Sequence, residues 1–365
     1  MQCPICGQDC VESQVFCKTC GARLSDEQDG VNTHALPEGT VIGGQYRVGK
    51  VISRGGFGIT YEGADTKLKR GVAIKEYYHV GSTRIGKTVT PPHTLTPAEH
   101  RKAMEQFKEE AELLSKVNHP QIVKVYNYLE ENDTGYIILE LLEGKSLEEV
   151  LRIQGKMGAE EIKGLILPIL KGLEAVHKEG ILHRDIKPAN IILSSRGGVL
   201  IDFGASRQYA LGKSMDMAQV LTPGYAPLEQ YGSRGEFGPP LDIYAIGAMM
   251  YRMITGKEPP SAADLATEAV ELELGDSQLE QVIRRCMKTN ATMRYPDVGS
   301  LWKDIAHQAM PQPLPSVGVE ALSPAKEKPK KKNTAVLVQL ILVLSLIGIS
   351  AVLFVIGKGH QLLID

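Results

Sequence analysis

The stretch "HRDIKPANIIL", residues 183–193, decides the fold. Arg184, Asp185, Lys187 and Asn190 bring four groups of strong chemistry close together, and an apolar run follows them. A solvated loop has no need of that order. Upstream, "EEIKGLILPILKGLEAVHKEG" (160–180) repeats apolar residues at helical spacing, while "NIIL" reads as a strand. Asp185 therefore stands on a loop between a helix and a strand. A second apolar run, "VLIDFG" (199–204), carries Asp202 near its end. Two carboxylates and an amide presented from neighbouring strand ends make a hard oxygen site suited to Mg²⁺, which keeps waters and favours phosphate oxygens. Such a site implies a nucleotide.

The chain upstream supplies the parts a nucleotide would need. "ISRGGFGITY" (52–61) is a Gly-rich turn between two strands, and its bare amides could cover phosphates. "VAIK" (72–75) places Lys75 on the next strand, where an ammonium could reach the same phosphates. "YRVGKVI", "GITYEGAD" and "GVAIKEYY" are short β patterns separated by glycine. From Pro97 to about Val117, Met104, Phe107, Ala111, Leu114 and Val117 recur at helical spacing. "IVKVYNYLE" and "YIILELLE" return to strand, and after Gly144 the pattern is mostly helical. A strand-rich part followed by a helix-rich part predicts an α+β chain of two lobes with a cleft between them. The stretch 80–100, between strand and helix, is longer than an ordinary connection, and segments of that size are functional or disordered.

The order of these pieces resembles the protein-kinase superfamily over roughly residues 46–307. The matching elements are the Gly-rich loop, VAIK, a helix glutamate, HRDxKxxN, DFG, the segment Tyr225-Ala-Pro-x-Glu229 and "DIYAIG" (242–247). The resemblance implies a bilobal kinase fold and assigns roles. Lys75 would hold the α/β-phosphates of ATP and pair with a glutamate on the following helix. Glu110 fits that place best; Glu109 competes, and Glu112 is third. Asp185 would accept the proton of the substrate hydroxyl, and Lys187 would neutralise the transferring phosphoryl group. Asn190 and Asp202 would hold Mg²⁺, with Mn²⁺ as a substitute. Ile52, Ser53, Gly55, Gly56, Phe57, Gly58, Thr60 and Ala73 would line the ATP site. Leu139 would guard its back, and Glu140 and Leu142 would offer backbone groups to adenine. Lys187 in "HRDIKPAN" resembles serine/threonine rather than tyrosine kinases, so the expected partners are proteins bearing Ser or Thr. Arg184 implies control by the activation segment, where a phosphate would pair with it. Ser206, Ser214 and Thr222 are on offer there: Ser214 is the expected modified residue, and Thr222 would contact substrate. Arg294 fits as the partner of Glu229.

Some positions depart from the family pattern. Ser53 replaces the usual first glycine, which weakens the expected nucleotide grip without abolishing it, and Thr60 replaces the usual valine, a conservative change in shape. The alternative reading is a scaffold that binds partners and has lost catalysis. Such scaffolds typically lack the lysine, the catalytic aspartate or a metal ligand, whereas Lys75, Asp185, Asn190 and Asp202 are all present.

The rest of the chain divides by composition: 1–24 a cysteine module, 25–40 a polar linker, 41–307 the kinase-like region, 308–333 a Pro/Lys-rich tether, 335–356 an apolar run and 357–365 a tail. Cys3/Cys6 and Cys17/Cys20 form two CxxC knuckles whose four thiolates suit tetrahedral structural Zn²⁺, and the module resembles a zinc ribbon. Cys10 is a bystander or an alternative ligand, and Cys286 a core residue. No signal peptide opens the chain. From Ala335 to Ile356 no charge occurs, and at helical rise this run spans about 33 Å, enough for a hydrocarbon core of roughly 30 Å. Lys326, Lys328, Lys330, Lys331 and Lys332 precede it and only Lys358 follows, so the positive-inside rule places 1–333 in the cytoplasm of a single-pass inner-membrane protein. A homodimer is compatible with this arrangement. The net charge of −2 provides no basic field for phosphodiester backbones, which argues against a nucleic-acid partner.

Overall fold

The computed structural model describes residues 34–203, 207–208, 222–231, 237–267, 270–275 and 278–308. Cys3, Cys6, Cys17, Cys20, Ser206, Ser214 and the run 335–356 lie outside the described residues. Among the described residues no helix is long and apolar enough to cross a membrane.

Period-two alternation builds the first lobe. Strands β1 (Val41–Ile42), β2 (Tyr46–Arg54), β3 (Gly58–Asp65) and β4 (Arg70–Tyr77) follow one another antiparallel. Ile42, Tyr46, Val48, Tyr61, Val72 and Ile74 point to one buried face. The long insert is not a disordered loop. It holds a hairpin, β5 (Thr83–Ile85) and β6 (Thr88–Thr90), turned through Gly86 at positive φ and Lys87. Helix α1 (Pro97–Ser115) then opens on a capping box between Thr96 and Glu99, with Pro97 in its first turn. β7 (Val125–Glu131) and β8 (Thr134–Glu140) complete a sheet of order β1-β2-β3-β4-β8-β7. α1 packs Phe107 and Ala111 against Tyr77 and Ile137 of that sheet.

Two expected strands are shorter than their apolar patterns. Val123 donates to the Leu200 carbonyl and Leu200 to that of Gln121, so 121–123 are joined to the second lobe instead of to β8. Beyond Glu140 the chain leaves the sheet and crosses between the lobes. Residues 34–40, read as linker, belong to the first lobe: Leu36 is buried, and Gly39 and Thr40 exchange backbone hydrogen bonds with Val48.

The second lobe continues with β9 (Lys145–Ser146), α2 (Leu147–Gln154), α3 (Ala159–Lys178), β10 (Ile181–Leu182), β11 (Ile191–Ser194), β12 (Gly197–Leu200), β13 (Arg207–Gln208), α4 (Pro239–Thr255), α5 (Ala262–Ala266), α6 (Glu280–Cys286) and α7 (Val298–Gln308). Ile162, Ile166, Ile169, Leu173 and Val176 put the apolar stripe of α3 into the core. α4 is buried almost all round, as its run Ile243–Tyr251 requires, and is central. Cys286 is buried in this core, and burial raises its thiol pKa well above the ordinary range.

At the crossing, Gly144 has φ +151, and a Cβ placed there would collide with the Leu193 carbonyl oxygen. Nearby, Arg196 grips Glu140 with two hydrogen bonds of 2.7 Å, tying the β11–β12 turn to the end of β8.

Candidate active site

Lys75 sits mid-sheet on β4, paired with Thr60 of β3 and Ile137 of β8. Its ammonium lies 2.8 Å from Glu110 Oε1 and 2.8 Å from Asp202 Oδ1. Glu110 shares the buried face of α1 with Phe107, Ala111 and Leu114, whereas Glu109 and Glu112 are exposed, so helical phase selects among the three candidates. Burial alone would lower the Lys75 pKa, but the charges of Asp202 and Glu110 outweigh it and keep the amine firmly protonated. Burial lifts the Glu110 carboxyl above its usual range, and the lysine offsets this only in part.

The loop before β11 is anchored from α4. Asp242, fully buried, accepts from the backbone amides of His183 (2.9 Å) and Arg184 (2.8 Å), and its Oδ2 lies 2.7 Å from His177 Nε2. Burial opposes its charge, yet these partners hold its pKa below the ordinary value. The His183 ring tilts against Phe203 at 4.3 Å, and burial lowers its pKa, which favours the neutral imidazole. Its Nδ1 accepts from the Asp185 amide at 3.3 Å. Arg184 and Asp202 both have positive φ, a cost that persists where surroundings over-determine the backbone.

Asp185 gathers the remaining groups. Asn190 Nδ2 donates to its Oδ2 (2.9 Å) and to its carbonyl (2.8 Å). Lys187 Nζ is 2.8 Å from the same carboxylate and donates to Thr222 Oγ1 at 3.0 Å. Thr222 in turn donates to Asp185 Oδ1 at 3.3 Å. A carboxylate, an ammonium and a hydroxyl thus share one cluster. Asp202 is about half exposed and so open to a ligand on one side.

The glycine turn fits a phosphate group. Its tip is closed by Gly55 N–H to the Gly58 carbonyl, 3.0 Å. A Cβ at Gly55 or Gly56 would meet no neighbour, so space lies beside that backbone, whereas one at Gly58 would come within 2.7 Å of the Glu76 carbonyl oxygen. Ser53 pairs with Thr60 across β2 and β3, and Ile52 and Phe57 are exposed apolar groups beside the turn. Ala73 pairs with Leu139, and the Glu140 amide is taken by the Lys124 carbonyl, with Leu142 two residues further on. Among the described residues no group of three His, Cys, Asp or Glu could cage a metal. The donor set of Asn190 and Asp202 instead suits Mg²⁺, which binds through few protein oxygens together with substrate phosphates. Arg294, buried, forks onto Glu229 at 2.6 and 3.1 Å.

Two residues received no role from the sequence, Asp242 being noted only as the start of "DIYAIG". Asp242 had a signal, an acid inside the apolar run "LDIYAIGAMM" that only buried partners could compensate. Arg196 had none, since its partner Glu140 is remote in sequence.

Comparison with known proteins agrees with this geometry. The model of the protein kinase domain matches residues 46–310. The serine/threonine-protein kinase PknL of Mycobacterium tuberculosis is 28% identical over 298 residues, covering 78% of this chain and 70% of the relative. The probable serine/threonine-protein kinase SCO3848 of Streptomyces coelicolor is 33% identical over 233 residues, covering 60% of this chain and 31% of that longer protein. The solved structure of the PpkA-294 apo form has a TM-score of 0.65 at 28% identity, over 74% of this chain and 99% of that one. With the matched domain spanning both lobes and the whole constellation from Lys75 to Arg294, the chain belongs to the protein kinase family.

Proposed function

We infer that the chain is an active ATP-dependent serine/threonine protein kinase in which the residues above carry catalysis. The observation that carries this reading is the Lys75 ammonium joined at once to Glu110 and Asp202, with Asp185, Lys187, Asn190 and Thr222 hydrogen-bonded in one cluster. Phosphoryl transfer needs positioning and charge neutralisation more than covalent help. Glu110 holds Lys75 where it can meet the α/β-phosphates. Asp185 takes the proton of the incoming hydroxyl, and Asn190 fixes the carboxylate for it. Lys187 neutralises charge on the transferring group and, through Thr222, meets the acceptor side. Mg²⁺, held by Asn190 and Asp202, supplies further neutralisation of phosphate charge when bound. Ile52, Ser53, Gly55, Gly56, Phe57, Gly58, Thr60 and Ala73 enclose the nucleotide, and Glu140 and Leu142 present backbone groups to its base. Arg184 is the receiver for a phosphate on the activation segment, Ser214 being the favoured acceptor. Incubation of the full chain with Mg²⁺, γ-labelled ATP and a mixed protein substrate is expected to yield phosphoserine and phosphothreonine, and Lys75→Met to remove nearly all of it. No label from wild type, phosphotyrosine alone, or equal label from both proteins would refute the reading.

The flanking segments extend it. A zinc-bound N-terminal ribbon at Cys3, Cys6, Cys17 and Cys20 is supported by the paired CxxC spacing, and single-pass inner-membrane attachment with a cytoplasmic kinase by the uncharged run 335–356 behind five lysines. The purified chain should carry one zinc, lost on Cys→Ser exchange, and should sediment with membranes until 335–356 is removed. A metal-free chain in reducing buffer counts against the ribbon, and a chain that stays in the supernatant counts against the anchor.

A further inference from the structure

The insert after β4 is bonded to the roof of the nucleotide site. β4 pairs with β3 as far as Tyr77 opposite Gly58, and the ladder then continues past both strands. The Tyr78 amide donates to the Phe57 carbonyl at 3.0 Å, and the Val80 amide donates to the Gly56 carbonyl at 2.8 Å. The His79 ring meets Phe57 edge-on at 5.5 Å. The Gly-rich turn is thus held at Gly56 and Phe57 by the chain that follows β4.

That chain is itself fastened from below. Arg84, on β5, places Nη2 2.6 Å from Glu76 Oε2, with both side chains almost fully buried. Tyr61 donates to the same carboxylate oxygen at 2.7 Å. The Tyr78 hydroxyl donates to the Ser82 carbonyl and lies 3.0 Å from His34 Nδ1. Arg84 Nε donates to the His34 carbonyl at 2.8 Å, and the Leu36 amide donates to the Tyr61 hydroxyl at 3.0 Å. The hairpin's other strand is pinned by the Val89 amide on the Asn132 carbonyl. Separating a buried ion pair leaves an uncompensated buried charge, so the Arg84–Glu76 contact resists opening.

We propose that residues 78–90 form a tether that positions the nucleotide-binding turn, with Tyr78 and the Val80 amide as its positioning groups and His34–Leu36 as the clasp that fixes it. The tether makes no contact with the reacting atoms; it narrows the positions open to the Gly56 and Phe57 backbone before nucleotide arrives. Pre-ordering of that kind raises affinity by lowering the cost of ordering on binding.

The inference rests on the kinase reading, and the test separates the two. Three variants of the full chain are compared: Val80→Pro, which deletes the donor to Gly56; Val80→Ala, which keeps it; and Tyr78→Phe, which breaks the clasp while leaving every amide in place. Mg²⁺ and a fluorescent ADP analogue are the titrants, with KM for ATP, kcat and the melting temperature without nucleotide measured in parallel. Loss of one net hydrogen bond corresponds to an affinity change of about five-fold. Val80→Pro is expected to raise Kd and KM by roughly that factor at near-constant kcat, Val80→Ala to restore the affinity, and Tyr78→Phe to weaken it by about three-fold. Lower melting temperatures with unchanged Kd and KM, or equal weakening by Val80→Ala and Val80→Pro, would overturn the tether. Should Val80→Pro fail to fold, Tyr78→Phe alone decides. A wild-type chain that binds no nucleotide defeats the kinase reading itself, whereas variants that bind as wild type does defeat only the tether.

Discussion

Asp185→Asn is expected to lower kcat for phosphoryl transfer by about a thousand-fold, in the middle of the range for loss of a positioned general base. Asparagine keeps the size of the side chain and accepts a hydrogen bond, so the Asn190 contact at 2.9 Å has a substitute. What it cannot do is take a proton from the acceptor hydroxyl. The Lys187 ammonium, 2.8 Å from the carboxylate, also loses its counter-charge. The Lys187 ammonium keeps its bond to Thr222 and both side chains retain some exposure to water, so the melting temperature should fall by no more than a few degrees. Nucleotide affinity should change by less than about three-fold, since the expected phosphate contacts lie on Lys75, the glycine turn, Asn190 and Asp202. Initial-rate kinetics at saturating ATP, with a nucleotide titration alongside, separate these effects. A variant retaining more than a tenth of wild-type kcat would remove Asp185 from the role of base.

The largest effect on stability is expected from Gly144→Ala. Gly144 lies where the chain passes between the lobes, next to β9, whose Lys145 pairs with Leu193. Its φ of +151 is a region that residues with a Cβ rarely adopt, and the added methyl would run into the Leu193 carbonyl oxygen. Backbone strain and overpacking each cost of order 1–3 kcal/mol, so a combined loss of about 4 kcal/mol is expected. For a domain of this size that is a drop of roughly 10 °C in melting temperature. Gly164→Ala is the control of opposite sign. Gly164 is exposed within α3, has no neighbour within 4 Å of an added Cβ, and should gain about 0.5–1 kcal/mol from the better helix former. Calorimetry of the two proteins checks both signs; a Gly144→Ala protein melting within 2–3 °C of wild type would show that the crossing yields more easily than its geometry implies.

The site was legible where its chemistry is local in sequence. Arg184 to Asn190 lie within one loop, and residue type and spacing suggest metal-ligating oxygens beside an ammonium, while the role of base came only with the family resemblance. Helix α1 was legible from its apolar period, and its phase later distinguished Glu110 from Glu109 and Glu112. Asp242 was hidden because it acts through backbone amides of residues nearly sixty positions away, a relation no local pattern encodes. The hairpin within 80–100 was hidden for a different reason. Its strands have three residues each, mostly exposed, and what orders them is a buried ion pair to Glu76, bonds to His34 and the single buried side chain of Val89, too little for an apolar period to show. Residues 34–40 misled in the same way: a polar, Gly-containing stretch reads as a spacer even where Leu36 and a few amides attach it to a sheet.

The three-way junction at Lys75 also dictates an order of events when the chain is made. Every strand of the first lobe's sheet lies between residues 41 and 140, and Glu110 is only 35 positions from Lys75, so that lobe can close on itself early. Asp202 is 127 positions from Lys75, and the entropy of closing so long a loop must be met by the packing of α3 and β12 before the contact forms. At about 5–20 residues per second, roughly 3–12 seconds of synthesis separate the finished sheet from the arrival of Asp202 at the ribosome exit. A nascent first lobe therefore holds a lysine paired with Glu110 alone, and phosphotransfer begins only after the second lobe has emerged and folded beneath it.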